Sequence, residues 1–166
     1  DLFDFRLNVP AGWQVTSVMD AQGNPMVMEK YEEAAGAARY RVRLPGGVAA
    51  GQTRVVRFLA VNTPKSWLEN WSSQKLDFPQ FTVEGATTES GAVGIAVEDD
   101  LTVRPDKLTG LTPLSDEERK PLVPAGQSLS LAYRFEARPF AASLVVERTA
   151  PSLAAEIYSF FTLETD

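Results

Sequence analysis

Gly126–Phe140, GQSLSLAYRFEARPF, sets Leu129, Leu131, Tyr133 and Phe135 on one side of an extended chain and Ser128, Ser130, Ala132 and Arg134 on the other. A period of two marks a half-buried β-strand, because successive side chains of extended backbone point to opposite faces. The rest of the chain repeats this grammar in short alternating runs closed by Gly and Pro.

Phe3–Val9 places Phe3, Phe5, Leu7 and Val9 on one face and Asp4, Arg6 and Asn8 on the other. Pro10-Ala11-Gly12 turns the chain into a strand carrying Trp13, Val15 and Val18, with an irregularity near Thr16 and Ser17. Asp20–Pro25 has the marks of a tight hairpin, so Met26–Tyr31 is expected to run back antiparallel. Glu32–Ala38 reads as a hairpin loop and Arg39–Leu44 as a strand stopped by Pro45-Gly46-Gly47. Thr53–Asn62, rich in β-branched residues, reads as a strand central in a sheet.

Lys65–Lys75 breaks the pattern: Trp67, Leu68 and Trp71 share a helical side, with Ser66 as N-cap and Glu69 in the capping-box position, so a short helix is expected near residues 65–74. Phe81 and Val83 open a strand toward Thr88, and Ala92–Val97 and Leu101–Val103 follow. Arg104–Gly126 reads as the longest irregular connection, pinned by Leu108, Leu111 and Leu114, with one helical turn after Ser115 limited by Pro121. Ser143–Arg148 is apolar on both faces, and Leu153–Leu163 reads either as a helix with Ile157 and Phe161 four apart or, as its strand parity and aromatic content favour, as a strand. These runs predict a single all-β domain over residues 1–166, an antiparallel β-sandwich of about ten strands. Its core is expected to hold the rows of Phe3, Val15, Val42 and Val56 from the first half and of Val83, Ile95, Tyr133 and Phe161 from the second.

Composition narrows the chemistry. The 166 residues carry 16 Lys and Arg against 22 Asp and Glu, a net charge of −6, with no basic stripe of the kind that neutralises phosphates, so nucleic acid is not an expected partner. Arg39, Arg41 and Arg43 alternate with Tyr40, Val42 and Leu44, as the solvated face of a strand requires, and form the candidate interaction face. With no His and no Cys, Ser-His-Asp and Cys-His catalysis and imidazole or thiolate zinc sites are excluded within these residues, as is a disulfide framework. Gly46-Gly47 and Gly91–Gly94 lack the Lys and following helix of a phosphate loop. The start at Asp1, already in a strand pattern, is expected of a mature or excised piece of a longer protein, and no apolar run here spans a membrane.

Two-carboxylate glycosidase chemistry needs only a pair of facing carboxyl groups, for which Glu84, Glu89, Glu98, Glu136, Glu147 and Glu156 are candidates; period-two patterning already explains each as a solvated strand position. Asp20, Asn24 and the Glu98-Asp99-Asp100 turn offer oxygen ligands without the spacing of a calcium loop, so no metal is expected. Trp13, Trp67 and Trp71, together with several Tyr residues, are candidates for stacking on sugar rings, against a plain burial of Trp67 and Trp71 beside Leu68.

Leu131-Ala132-Tyr133-Arg134-Phe135, Arg138-Pro139-Phe140 and Leu144-Val145-Val146-Glu147-Arg148, preceded by Gly91-Ala92-Val93 and Leu101-Thr102-Val103, resemble a segment of large uncharacterised bacterial envelope proteins. The likeness covers roughly the second half of the chain. It implies an all-β module of a longer, anchored protein outside the cytoplasmic membrane, periplasmic or extracellular, and carries over no functional residues. The expected function is non-catalytic and without cofactor: binding a protein partner, or supporting neighbouring domains of the same chain. A carbohydrate-binding module is the alternative, and a two-carboxylate hydrolase the second.

Overall fold

The computed structural model describes residues 2–62, 66, 69, 71–86, 88–123 and 128–149. The strands are β1 (Leu2–Val9), β2 (Trp13–Asp20), β3 (Met28–Ala34), β4 (Ala37–Val48), β5 (Val56–Asn62), β6 (Ser73–Asp77), β7 (Thr82–Glu84), β8 (Gly91–Ile95), β9 (Leu101–Thr109), β10 (Thr112–Pro113), β11 (Leu131–Phe135) and β12 (Ala141–Arg148). One short helix, α1 (Asp116–Arg119), runs into a 3-10 turn at Lys120–Leu122. The fold is all-β, as the alternation predicts. Among the described residues every strand pairing is antiparallel, in four sheets ordered β3-β4-β1-β7, β2-β5, β10-β11-β8 and β6-β12-β9.

The first 62 residues build one core. Strand β4 alternates strictly, with Ala38, Tyr40, Val42 and Leu44 buried and Arg39, Arg41 and Arg43 exposed. Its inward row joins Phe5, Leu7 and Val9 of β1 and Val15 and Val18 of β2, so the β3-β4-β1-β7 and β2-β5 sheets share a single apolar interior. Fully burying side chains of this size contributes about 1.5–3 kcal/mol each. Phe81, from the segment before β7, enters the same core and meets Trp13 at 5.8 Å and Phe58 at 5.0 Å between ring centroids.

The later strands bury a second set, among them Tyr133, Phe135, Phe140, Leu144 and Val146. In β12 the consecutive residues Leu144, Val145 and Val146 are all buried, so both faces of this strand are covered, which accounts for its apolar composition. Residues 78–89 tie the two sets together. The Phe78 N–H donates to the Ala142 carbonyl at 2.7 Å, and Gln80 Nε2 to the Phe140 carbonyl at 3.0 Å. Arg138 donates to the Glu89 carboxylate, to Gln80 Oε1 at 3.2 Å and to the Phe81 carbonyl, while Glu89 accepts from the Val83 N–H at 3.2 Å. The Arg138 guanidinium also lies over the rings of Phe140, at 5.0 Å, and Phe135, at 5.7 Å.

Several sequence readings are corrected. Phe3 is 62% exposed, because the register slips between Leu2 and Asp4 and the resulting bulge turns Phe3 out over Gly47. The Asp20 turn forms, with Asp20 Oδ1 accepting from the Gln22 and Asn24 N–H groups, and the chain first runs back antiparallel as expected, Pro25 bridging Met19 and the Met26 N–H donating to the Val18 carbonyl at 2.9 Å; from Met28 on, β3 pairs with β4 and leaves β2 to β5. The loop read at Glu32–Ala38 shrinks to Ala35-Gly36, both at positive φ, which gives a two-residue hairpin turn. Strand β4 runs through Pro45-Gly46-Gly47 to Val48. Strand β5 is not central: among the described residues it pairs with β2 alone, and Phe58 and Val61 are exposed.

Of the connection read at Arg104–Gly126, the described residues 104–123 are largely structured. Strand β9 passes Pro105 because it is an edge strand, where a missing N–H costs little, and Ser115 caps α1 with a full capping box to Glu118. Leu114 is buried as expected. Of the helix expected near 65–74, residues 65, 67, 68 and 70 lie outside the described residues, and Ser73–Lys75 belong to β6. Val15, Val42 and Tyr133 are core as read; Val56 and Val83 pack against the first core, and Ile95 is half-buried. Phe161 and the strand read at Leu153–Leu163 lie outside the described residues. Among the described residues no helix is long and apolar enough to cross a membrane.

Candidate functional site

Two tight turns build a cleft beside Trp13. Gly12 sits at φ +84° with the Trp13 N–H donating to the Pro10 carbonyl at 3.2 Å, and this sends Trp13 into the start of β2. The Ala35-Gly36 turn abuts it: a Cβ built on Gly36 would lie 3.4 Å from the Ala11 Cβ. Between the turns opens a half-open cleft of about 410 Å³, lined by Trp13, Gln14, Lys30, Glu33, Ala38 and Tyr40 among others. Trp13 rests edge-on against Phe81 and is only half-buried. Tyr40 faces Lys30 across the β3-β4 ladder and is buried. Lys30 and Glu33 form an ion pair on the rim, and the Glu33 carboxylate raises the Lys30 pKa, so the ammonium stays charged.

A second cleft, of about 560 Å³, lies between β8, β11 and α1, with Leu114, Phe135, Glu118, Arg134 and Glu136 in its lining. Glu118 accepts from the Ser115 N–H and hydroxyl and pairs with Arg134, and these bonds hold its carboxyl below the usual carboxylate range. A general acid needs the opposite shift.

The other sequence candidates fall in separate places. Trp67 lies outside the described residues. Trp71 is half-buried with the Arg148 guanidinium 4.3 Å over its ring, so one of the two stacking faces is taken. Arg39, Arg41 and Arg43 do share an exposed face, but carboxylates interleave with them. Arg39 pairs with Glu32 at 3.0 Å and Glu84 at 3.5 Å, Arg41 opposes Glu29 and sits over the Tyr31 ring, and Arg43 opposes Asp4. Arg6 adds a pair with Glu84 at 3.5 Å. The face is a zipper of charges rather than a basic patch.

The carboxylates are likewise engaged singly: Glu84 with Arg6 and Arg39, Glu89 with Arg138, Glu147 with Arg104 at 3.7 Å. Glu136 lines the second cleft, Glu98 closes the turn into β9 through its carbonyl, and Glu156 lies outside the described residues. Asp20 spends both oxygens on Gln22 and Asn24 as a turn cap. Among the described residues no three acidic side chains converge as a metal site would require.

One surface feature has no counterpart in the sequence reading. Leu2, Phe3, Val27 and Val55 are 52%, 62%, 65% and 53% exposed. Backbone pairing brings them to one end of the first core: Leu2 opposes Val48, Asp4 opposes Arg43, the Arg43 N–H donates to the Val27 carbonyl, and Arg54 donates to the Pro45 and Gly47 carbonyls. The cleft residues Lys30, Glu33 and Tyr40 are equally unmarked. Tyr40 is inward by parity and reads as core, Lys30 reads as a position of the Met26–Tyr31 strand, and Glu33 reads as loop. No family model, no curated protein and no solved structure matches this chain.

Proposed function

We propose that this chain is a non-catalytic binding module of a longer bacterial envelope protein, periplasmic or extracellular, that docks a protein partner or a neighbouring domain through the apolar end of its first core. The observation that carries the reading is that Leu2, Phe3, Val27 and Val55, large apolar side chains each more than half exposed, lie on segments that meet β4 between Arg43 and Val48. Scattered exposed apolar residues are ordinary, whereas several gathered at one place mark an interaction surface. Arg54, in the segment before β5, donates to the Pro45 and Gly47 carbonyls beside them and supplies a polar rim. The singly engaged carboxylates and the lowered Glu118 pKa support a role without acid–base chemistry.

Site-specific photo-crosslinking tests this in the full-length protein in its native cells. A crosslinker at Phe3 or Val27 should yield one discrete adduct, and Val55→Lys should abolish it, while the same crosslinker at Glu117 yields none. Equal labelling at all three positions, or none at Phe3 and Val27, would overturn the assignment.

A further inference from the structure

We propose that the Trp13 cleft is a binding site for a neutral, hydroxyl-rich ring, the sugar unit of an uncharged oligosaccharide. Small-molecule sites are concave, about 300–1,000 Å³, and apolar with a few convergent polar groups. The 410 Å³ between the two abutting turns falls in that size range, and its lining is more polar than apolar, as a ligand rich in hydroxyls requires. Its wall is Trp13, braced against Phe81, so an indole held by the core lines the cleft and can meet the C–H face of a sugar ring without first being ordered.

The rim decides the ligand's charge. Lys30 and Glu33 neutralise one another, yet between them offer ammonium donors and carboxylate acceptors, which vicinal hydroxyls satisfy in pairs. Gln14 adds an amide with both functions. An ionic ligand would have to break the Lys30–Glu33 pair, and a polyanion would also meet a chain of net charge −6. The geometry of the floor is fixed by backbone, since Gly12 and Gly36 hold conformations that other residues adopt at a cost. This site is independent of the apolar end assigned to protein docking and stands or falls separately.

Isothermal titration calorimetry with cellohexaose, maltohexaose, mannohexaose, chitohexaose and hexagalacturonate provides the test. At least one neutral hexasaccharide should bind saturably, and Glu33→Ala and Lys30→Met, both at half-exposed rim positions, should each weaken it about tenfold at unchanged melting temperature. Trp13→Phe, which keeps an aromatic against Phe81, should weaken it as well. Absence of binding by every neutral probe would overturn the proposal. Binding indifferent to both rim substitutions, or stronger binding of hexagalacturonate than of any neutral probe, would overturn it equally.

Discussion

Replacing Arg138 with Ala removes the side chain that fastens the two groups of sheets. Its guanidinium holds the Glu89 carboxylate, the Gln80 amide oxygen and the Phe81 carbonyl, and covers the rings of Phe140 and Phe135. Arg138 and Glu89 are only 26% and 21% exposed, so solvent screens the pair far less than a surface ion pair. Hydrogen bonds involving a charged group contribute about 1.5–3 kcal/mol each, but they are not additive when one side chain makes them all. We therefore expect Arg138→Ala to cost about 3 kcal/mol, or about 6–12 °C in Tm for a chain of this size. Glu89→Ala should cost about 2 kcal/mol, because it also strips an acceptor from the Val83 N–H. A urea-denaturation cycle of the two single variants and the double should show a coupling of about 1–2 kcal/mol. Arg138→Lys should recover less than half of the loss, since an ammonium cannot span three acceptors with a planar fork. A loss below about 1 kcal/mol with strictly additive singles would refute the idea that this residue is the joint.

Leu7, 1% exposed at the centre of the first core, should cost about 3 kcal/mol on substitution by Ala, read as a shift in the urea midpoint with unchanged slope. Gly47→Val faces two obstacles, a φ of +70° and a Cβ 2.9 Å from the Phe3 ring, and should cost about 1–3 kcal/mol; adding Phe3→Ala should return only the steric part in the same assay. Reversing Arg39 to Glu should lower the urea midpoint through repulsion from Glu32 and Glu84, and Glu32→Arg in the same chain should restore part of it by remaking the pair across β3 and β4. Glu118 and Asp106 have folded-state pKa values below their ordinary ones, through Ser115 and Arg134 for the first and Lys75 for the second. Their protonation thus favours the unfolded chain: the stability they confer is complete at neutral pH and is lost as pH falls through and below about 4. Urea midpoints measured from pH 7 to pH 3 should fall, and the fall should be shallower in Glu118→Gln.

What the sequence made legible was local. Alternation located β1, β4 and β11, and the irregularity at Thr16 and Ser17 is the bulge at which β2 slips against β5. Capping chemistry located α1 from Ser115, and the reciprocal bond from Glu118 emerged only in the structure. Pairing was not legible, because strand parity says which face is buried but not which strand lies alongside. The Asp20 turn looked like a complete hairpin, and β3 nonetheless crosses to β4. Phe3 kept its parity in sequence and lost it to a bulge that only the register with β4 creates. The cleft was half legible: Trp13 stood out, while Lys30, Glu33 and Tyr40 reach it because two turns distant in sequence meet in space. The Arg39 face was correctly read as solvated, and its partner carboxylates came from β3 and β7, which no local pattern names.

The position of β12 bears on how the chain is made. This strand lies between β6 and β9, yet its residues, 141–148, follow both of theirs in the sequence. During synthesis β6 waits for its partner while more than sixty residues are added, with open main-chain groups on the edge that β12 will cover. The first core needs only Phe81 and β7 to close and is finished well before. The nascent chain thus passes through a stage with one completed half and a set of unsatisfied strand edges, the state most prone to pair with a neighbouring copy. A chaperone that shields residues 73–77 until β12 arrives would act at the most exposed moment of this protein's life.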